Sequence, residues 1–378
     1  MFGKGIELFK IFGLSIRVDA SWLAVAVLFP WTLATAVFPA LRPGLPKTAY
    51  WSMGILGSFG LFASVVVHEM SHALVARRFG IVIRSITLFL FGGVAEMAGE
   101  PSSPRSELLV AAAGPAASFG LAFVGLVATT LGGLAGLPAP VQVVLAYLAV
   151  INAALAVFNL VPAFPLDGGR ILRSVLWHWK GNLRWATRIS SLLGAGFGLL
   201  LISLGVLRVV QDDFMGGMWW FLIGLYVRHA AQMSYQQLLL RQALGGEPVA
   251  RFMRSNPVTV PRSISVQQLV QDYVYRYHFK MFPVLDDSGR LFGCVSTQQV
   301  RNLPHDEWDS QTVGAIAERC GPDNTVTADT DALRALSRMS RTGDSRLLVV
   351  DGDRLLGILA LKDLLQFFAL KMELEEAA

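Results

Sequence analysis

His68-Glu69-Met70-Ser71-His72 sets two imidazoles four residues apart, with a carboxylate beside the first. On a helix, residues four apart share a face, so His68 and His72 can aim their rings at one point. This is the H-E-x-x-H pattern, in which the two His bind zinc and the Glu serves as general base of a metalloprotease. A chance match, or a His pair buried for structural reasons, is the plain alternative. The setting weighs against it. The pentapeptide lies in an apolar run over residues 50–76, YWSMGILGSFGLFASVVVHEMSHALVA, long enough to span a bilayer as a helix. Ionisable groups inside a span are costly and mark function by default. A metal would account for their tolerance, because it engages both imidazoles and attracts the carboxylate.

The rest of the chain must hold that helix in a membrane. Of its 378 residues 16% are charged, against about 25% for a soluble protein, and the mean hydropathy is +0.51. Apolar stretches predict a polytopic α-helical membrane protein with about six spans, near 21–40, 50–76, 106–131, 140–162, 187–208 and 217–236. Pro30 interrupts the first. The net charge of +5 is modest and its Lys and Arg fall between spans, so they read as topology signals and not as a nucleic-acid surface. Lys4, Lys10 and Arg17 lie on one side with Arg77, Arg78, Arg84 and Arg105, and with Arg170, Arg173, Lys180, Arg184 and Arg188. The positive-inside rule then puts both termini in the cytoplasm of a cell inner or plasma membrane. Arg77 would mark the cytoplasmic end of the second span, leaving the motif roughly 7–14 Å below that boundary, within reach of a water-filled cavity. Trp51, Trp177, Trp179, Trp219 and Trp220 fall near span ends, where interfacial anchors belong. No signal-peptide pattern opens the chain, and Cys294 and Cys320 alone make neither a disulfide framework nor a Cys-based zinc site.

Two segments read as strand. Leu14, Ile16 and Val18 alternate with polar residues, and residues 84–97 (RSITLFLFGGVAEM) are β-rich and too short to cross as a helix. The Gly92-Gly93 pair permits a tight turn or a close backbone approach. A small membrane-associated β element is therefore expected beside the spans.

A catalytic zinc needs a third protein ligand and an open position. After the fourth span, Asn159-Leu160-Val161-Pro162-Ala163-Phe164-Pro165-Leu166-Asp167-Gly168-Gly169 breaks the helix with two prolines. Irregular backbone at membrane depth is tolerated where it is buried in protein or lines a cavity. Asp167 is thus a candidate ligand; equally, it could cap the following helix.

Past residue 236 the character becomes soluble. FPVLDDSGRLFGCVSTQQV (282–300) aligns with LLVVDGDRLLGILALKDLL (347–365), each copy reading as two strands around an Asp/Gly turn and then a helix. The expected organisation is a membrane domain over 1–236, a linker over 237–247, and α/β repeats over 248–306 and 307–372.

Taken together, His68-Glu69-x-x-His72 in one span and Asn159-x-x-Pro162-x-x-Pro165-Leu166-Asp167-Gly168-Gly169 after another resemble the site-2 protease family of intramembrane zinc metalloproteases. Both motifs match in full and in order, and the resemblance covers residues 1–236. It implies one zinc per chain held by His68, His72 and Asp167, Glu69 as catalytic base, and Asn159 positioning or polarising the substrate. It also implies a strand around Phe91-Gly92-Gly93-Val94 that presents an edge to an unwound substrate. Gly114-Pro115 fits the family pattern too and is assigned to packing. The implied activity is regulated intramembrane proteolysis of membrane-bound signalling proteins. The C-terminal repeats resemble tandem CBS domains, which implies an adenine nucleotide (ATP, ADP or AMP) and homodimerisation. Their G-h-h-[ST]-x-x-D signature is incomplete in both copies: Gly293 and Ser296 lead to Gln299, whereas Gly357 and Asp363 flank Ala360. At most one full nucleotide site is expected, at Asp363. A CBS-regulated transporter, a zinc peptidase for soluble peptides and an inactive scaffold are the competing readings; the ordered zinc motifs, the depth of the site and the presence of Glu69 argue against each in turn.

Overall fold

The computed structural model describes residues 6–81, 83–89, 92–97 and 101–376; Lys4 and Phe91 lie outside the described residues. The chain forms two compact units, Met1–Leu238 and Leu239–Ala378.

The first unit opens with the hairpin β1 (Ile6–Ile11) and β2 (Leu14–Val18). Helix α1 (Ala20–Thr32) is capped by the Asp19 carboxylate and passes through a π-helical turn, Leu33–Val37, into the short α2 (Phe38–Leu41). Helix α3 (Lys47–Arg78) carries the H-E-x-x-H motif. A second hairpin, β3 (Ile83–Phe89) and β4 (Gly92–Met97), leads to α4 (Pro104–Leu134), which starts at a reciprocal Ser103/Ser106 capping box. Then come α5 (Ala139–Asn159), α6 (Asp167–Lys180), α7 (Leu183–Val210) and α8 (Phe214–Leu244).

Among the described residues five helices are long and apolar enough to cross a membrane: Ala20–Leu41, Lys47–Arg78, Pro104–Leu134, Ala139–Asn159 and Leu183–Val210. The sixth expected span, 217–236, is helical within α8, but Arg228, His229 and Gln232 lower its hydropathy below that of the other five.

The four strands form one sheet in the order β1-β2-β3-β4, with β2 and β3 parallel and both hairpins antiparallel. Leu14, Ile16, Ile83 and Ile86 pack it against Ala73 and Ala76 of α3 and Val110 of α4. Alternation along β2 is regular, with Leu14, Ile16 and Val18 buried as expected. The sheet thus lies along the part of α3 that bears the motif, with β4 at its edge.

In the second unit, β5 (Arg254–Ser255), β6 (Val260–Pro261), β7 (Met281–Leu285), β8 (Leu291–Ser296), β9 (Glu318–Arg319), β10 (Thr325–Thr327), β11 (Arg346–Asp351) and β12 (Arg354–Ala360) make two sheets, β6-β7-β8-β9 and β10-β11-β12-β5. Each aligned copy is an antiparallel pair followed by a helix, at Thr297–Arg301 and at Leu361–Glu376. Over the expected linker, 237–247, α8 stays helical to Leu244, and in the second unit Leu240 and Leu244 pack into the core formed by Val349, Leu359 and Leu364.

Candidate active site

His68 and His72 lie one turn apart on α3 and are buried, 4% and 3% exposed. Asp167, 8% exposed, is the first residue of α6. Its Oδ2 lies 3.1 Å from Nε2 of His68 and 3.1 Å from Nε2 of His72. The two Nε2 atoms are 3.2 Å apart. Three donors therefore stand at the corners of a nearly equilateral triangle, the one cluster among the described residues able to hold a metal ion.

The donors fit zinc on three grounds. Two imidazoles and one carboxylate are a catalytic zinc set that leaves a fourth position open. With zinc–ligand bonds of about 2.0–2.1 Å, neighbouring corners of a tetrahedron stand roughly 3.3 Å apart, close to the separations seen here. Finally, the outer ring nitrogens are engaged: Nδ1 of His68 is 2.9 Å from Ser118 Oγ, and Nδ1 of His72 is 2.6 Å from the Val110 carbonyl oxygen. With Nδ1 of His72 donating to that carbonyl, its Nε2 turns a lone pair inward.

Helix α4 supplies those outer partners through one stripe. Val110, Gly114 and Ser118 are successive residues at a spacing of four, so they share a face. A Cβ at Gly114 would sit against Nε2 of both imidazoles. Gly114, expected to serve packing, is the residue that lets α4 approach the two imidazoles this closely. The i, i+4 pair Gly114 and Ser118 was the available sequence signal for this stripe, since Val110 acts through its backbone carbonyl.

Glu69 lies next to the cluster on α3. A Cβ at Gly93 would come within 2.6 Å of the Glu69 Cγ, so only glycine lets β4 approach the carboxylate this closely. Gly92 pairs with Phe89 and Gly93 with Leu88, which puts the Gly-Gly pair at the first two positions of β4. Among the described residues β4 pairs on one side only, leaving an open edge.

Asp167 is held by the helix break. Gly168 and Gly169 let the loop over Leu160–Phe164 fold against the start of α6, where any Cβ would collide with its backbone. Six residues along, Arg173 donates from Nε to Glu107 Oε1 of α4 at 2.6 Å, with a second contact from its terminal nitrogen. Arg173 is 7% exposed and Glu107 fully buried, and the guanidinium also lies 5.1 Å from the centre of the Phe164 ring. This ion pair fixes α6 to α4, and with it the carboxylate that must meet the imidazoles. Sequence reasoning missed it, having read Arg173 as a topology signal.

Asn159 is the last residue of α5, and its amide donates to the Leu155 carbonyl at 3.0 Å. Asp363 belongs to the second unit. It receives both hydrogen bonds of a bidentate pair from Arg254, at 3.1 and 2.7 Å, and lines a cavity of about 350 Å³ with Phe279, Met281, Arg346, Ile358 and Lys362.

Comparison with known proteins places this arrangement. The model of peptidase family M50 matches residues 56–138 and 135–203, and the CBS domain model matches 249–306 and 316–370. Rip3 of Mycobacterium tuberculosis, named as a zinc metalloprotease, is 36% identical over 360 residues, covering 95% of this chain and 91% of Rip3. The protein sll0528 of Synechocystis, named likewise, is 33% identical and covers 92% of this chain and 90% of its own length. A solved site-2 protease from Methanocaldococcus jannaschii is 28% identical, covering 61% of this chain and 94% of that one, with a TM-score of 0.42. Since Rip3 is 36% identical over nearly the whole of both chains, the chain is an integral membrane protein of the M50, or site-2 protease, family of zinc metalloproteases, carrying a C-terminal CBS pair.

Proposed function

We propose that this chain is an intramembrane zinc endopeptidase, acting on peptide bonds within or near transmembrane segments of membrane-bound signalling proteins. The observation that carries the reading is the triangle of His68 Nε2, His72 Nε2 and Asp167 Oδ2 inside a span, with Glu69 beside it. His68, His72 and Asp167 would hold one zinc, which supplies Lewis acidity and an acidified water when bound. Glu69 takes the proton of the attacking water and returns it to the leaving nitrogen. Asn159 orients the scissile carbonyl after its amide leaves Leu155 O. The substrate must be extended at the cut, since a helix hides its peptide bonds, and the open edge of β4 at Gly92-Gly93 supports pairing with such a segment.

The second unit is assigned a regulatory role through an adenine nucleotide. Asp363, the one complete acidic position, lies in a cavity with an apolar wall and the cations Arg254, Arg346 and Lys362. The Arg and Lys distribution supports a cytoplasmic location for both termini and the CBS pair, and a CBS-mediated homodimer belongs to the same reading.

Elemental analysis of purified protein beside His68→Ala and Asp167→Ala is the test. One zinc per chain, lost in both variants, is expected, together with Glu69→Gln protein that keeps zinc and cleaves nothing. Folded wild-type protein that stays free of zinc after repletion would sink the reading.

A further inference from the structure

Beside the site lies a cavity of about 140 Å³ between α1, α3 and β3, walled by Trp22, Phe29, Leu61, Phe62, Val65 and Leu88. Apart from the indole N–H of Trp22, these side chains offer no polar group. The volume is close to the roughly 150 Å³ of an engineered apolar cavity that takes up benzene, so it matches one large aliphatic or aromatic side chain.

Its position relates it to the chemistry. Leu61, Val65 and Glu69 follow at a spacing of four on α3, and Phe62 lies seven residues before Glu69, so these wall residues share the face of the carboxylate. The β3 wall points the same way. Leu88 is paired directly with Gly93, and residues directly opposed on a sheet project to the same face. Gly93 turns that face to Glu69. Val65 precedes Glu69 by one turn, an offset of about 6 Å along the axis. In an extended chain, side chains two residues apart return to the same face about 6.6 Å along.

The geometry points to a substrate-side-chain pocket: the cavity receives a Leu- or Phe-sized side chain two residues from the scissile bond of the extended substrate. This rests on the proteolytic reading above and adds where a large apolar side chain of the substrate is housed. Energetically, that side chain leaves lipid when the substrate unwinds into a site that admits water. The pocket spares it that exposure. With the pocket filled, Leu or Phe would meet water and lose the equivalent of about tenfold to a hundredfold in rate.

The experiment uses the full chain in proteoliposomes with a designed single-span substrate whose residues around the cut are varied one at a time through Ala, Leu, Phe and the larger Trp, with cut sites mapped by mass spectrometry. Wild-type protein is expected to cleave Ala, Leu and Phe at the second position comparably and to cleave Trp poorly. Val65→Phe should keep the Ala substrate and lose at least tenfold on Leu and Phe at that position alone, whereas Phe62→Ala should admit Trp. A Phe-to-Ala ratio unchanged in Val65→Phe, or altered at a different position, overturns the pocket while leaving the protease reading intact. A second readout is independent of turnover: a benzophenone amino acid at position 62 of the Glu69→Gln protein, photolysed with the same span. An adduct at the second-position residue supports the pocket even if no cleavage is seen, in which case the proteolytic reading fails by itself. Adducts with lipid only overturn the pocket.

Discussion

Replacing Glu107 by Gln takes the counter-ion from a guanidinium that has almost no contact with water. Arg173 is 7% exposed, and its guanidinium also lies 5.1 Å from the centre of the Phe164 ring. Two unit charges about 4 Å apart interact by about 4 kcal/mol at an effective dielectric constant of 20. Removing one partner of a buried pair costs about 3–5 kcal/mol, because the survivor keeps its desolvation penalty. For a unit of this size that is a fall of roughly 6–20 °C in the unfolding midpoint. The loss should not stop at stability. Arg173 pins α6 to α4, and Asp167 begins α6, so a loosened helix lets the carboxylate drift from the imidazoles. Glu107→Gln is therefore expected to melt earlier in detergent and to retain less zinc after dialysis against a weak chelator. The double variant Glu107→Leu/Arg173→Met removes both charges with similar volume and should recover most of the loss. A Glu107→Gln midpoint within a degree of wild type, or a double variant no better than the single, would refute this account of the pair.

The remaining predictions concern single contacts. Gly114→Ala puts a methyl against both Nε2 atoms and should abolish zinc binding while the far-ultraviolet helix signal persists. Gly93→Val drives β4 away from Glu69 and should cut cleavage by more than tenfold with zinc content unchanged; equal loss of zinc would show that the contact serves the metal centre instead. Arg254→Ala removes the bidentate partner of Asp363, and calorimetric titration with AMP should show altered affinity, while Asp363→Ala should show no AMP binding. In the first CBS repeat, burial pushes the Cys294 thiol up to about 12, while Cys320 is exposed. A maleimide at pH 7.5 should therefore label Cys320 and spare Cys294 until the fold is opened with denaturant, as peptide mapping would reveal.

Legibility in the sequence followed the range of each contact. His68 and His72 were readable because four residues on a helix fix their relation locally. Asp167 lies 99 residues from His68, so spacing made it only a candidate, and it took the whole N-x-x-P-x-x-P-L-D-G-G segment to single it out. Glu107 and Arg173 are 66 residues apart, and each alone resembles any interfacial charge. Strand β2 announced itself by strict alternation. Strand β1 did not, since a bulge between Glu7 and Phe9 breaks its period. The helical continuation to Leu244 was hidden by the Gly245-Gly246 pair that follows, which draws the eye to a break.

The open edge of β4 has a consequence for how guests would be sorted. An edge recognises amides, and every residue except proline offers the same amide. Backbone pairing there is therefore indifferent to the letters of the segment it holds. It is sensitive instead to how readily that segment leaves its helix. Each glycine lowers helix stability by about 1 kcal/mol relative to alanine, so two of them raise the opened population by more than tenfold. A span's fate at such an edge would be set by its local melting tendency. Two spans of unrelated sequence but equal fragility would compete as equals there, and a well-wound span would pass by untouched.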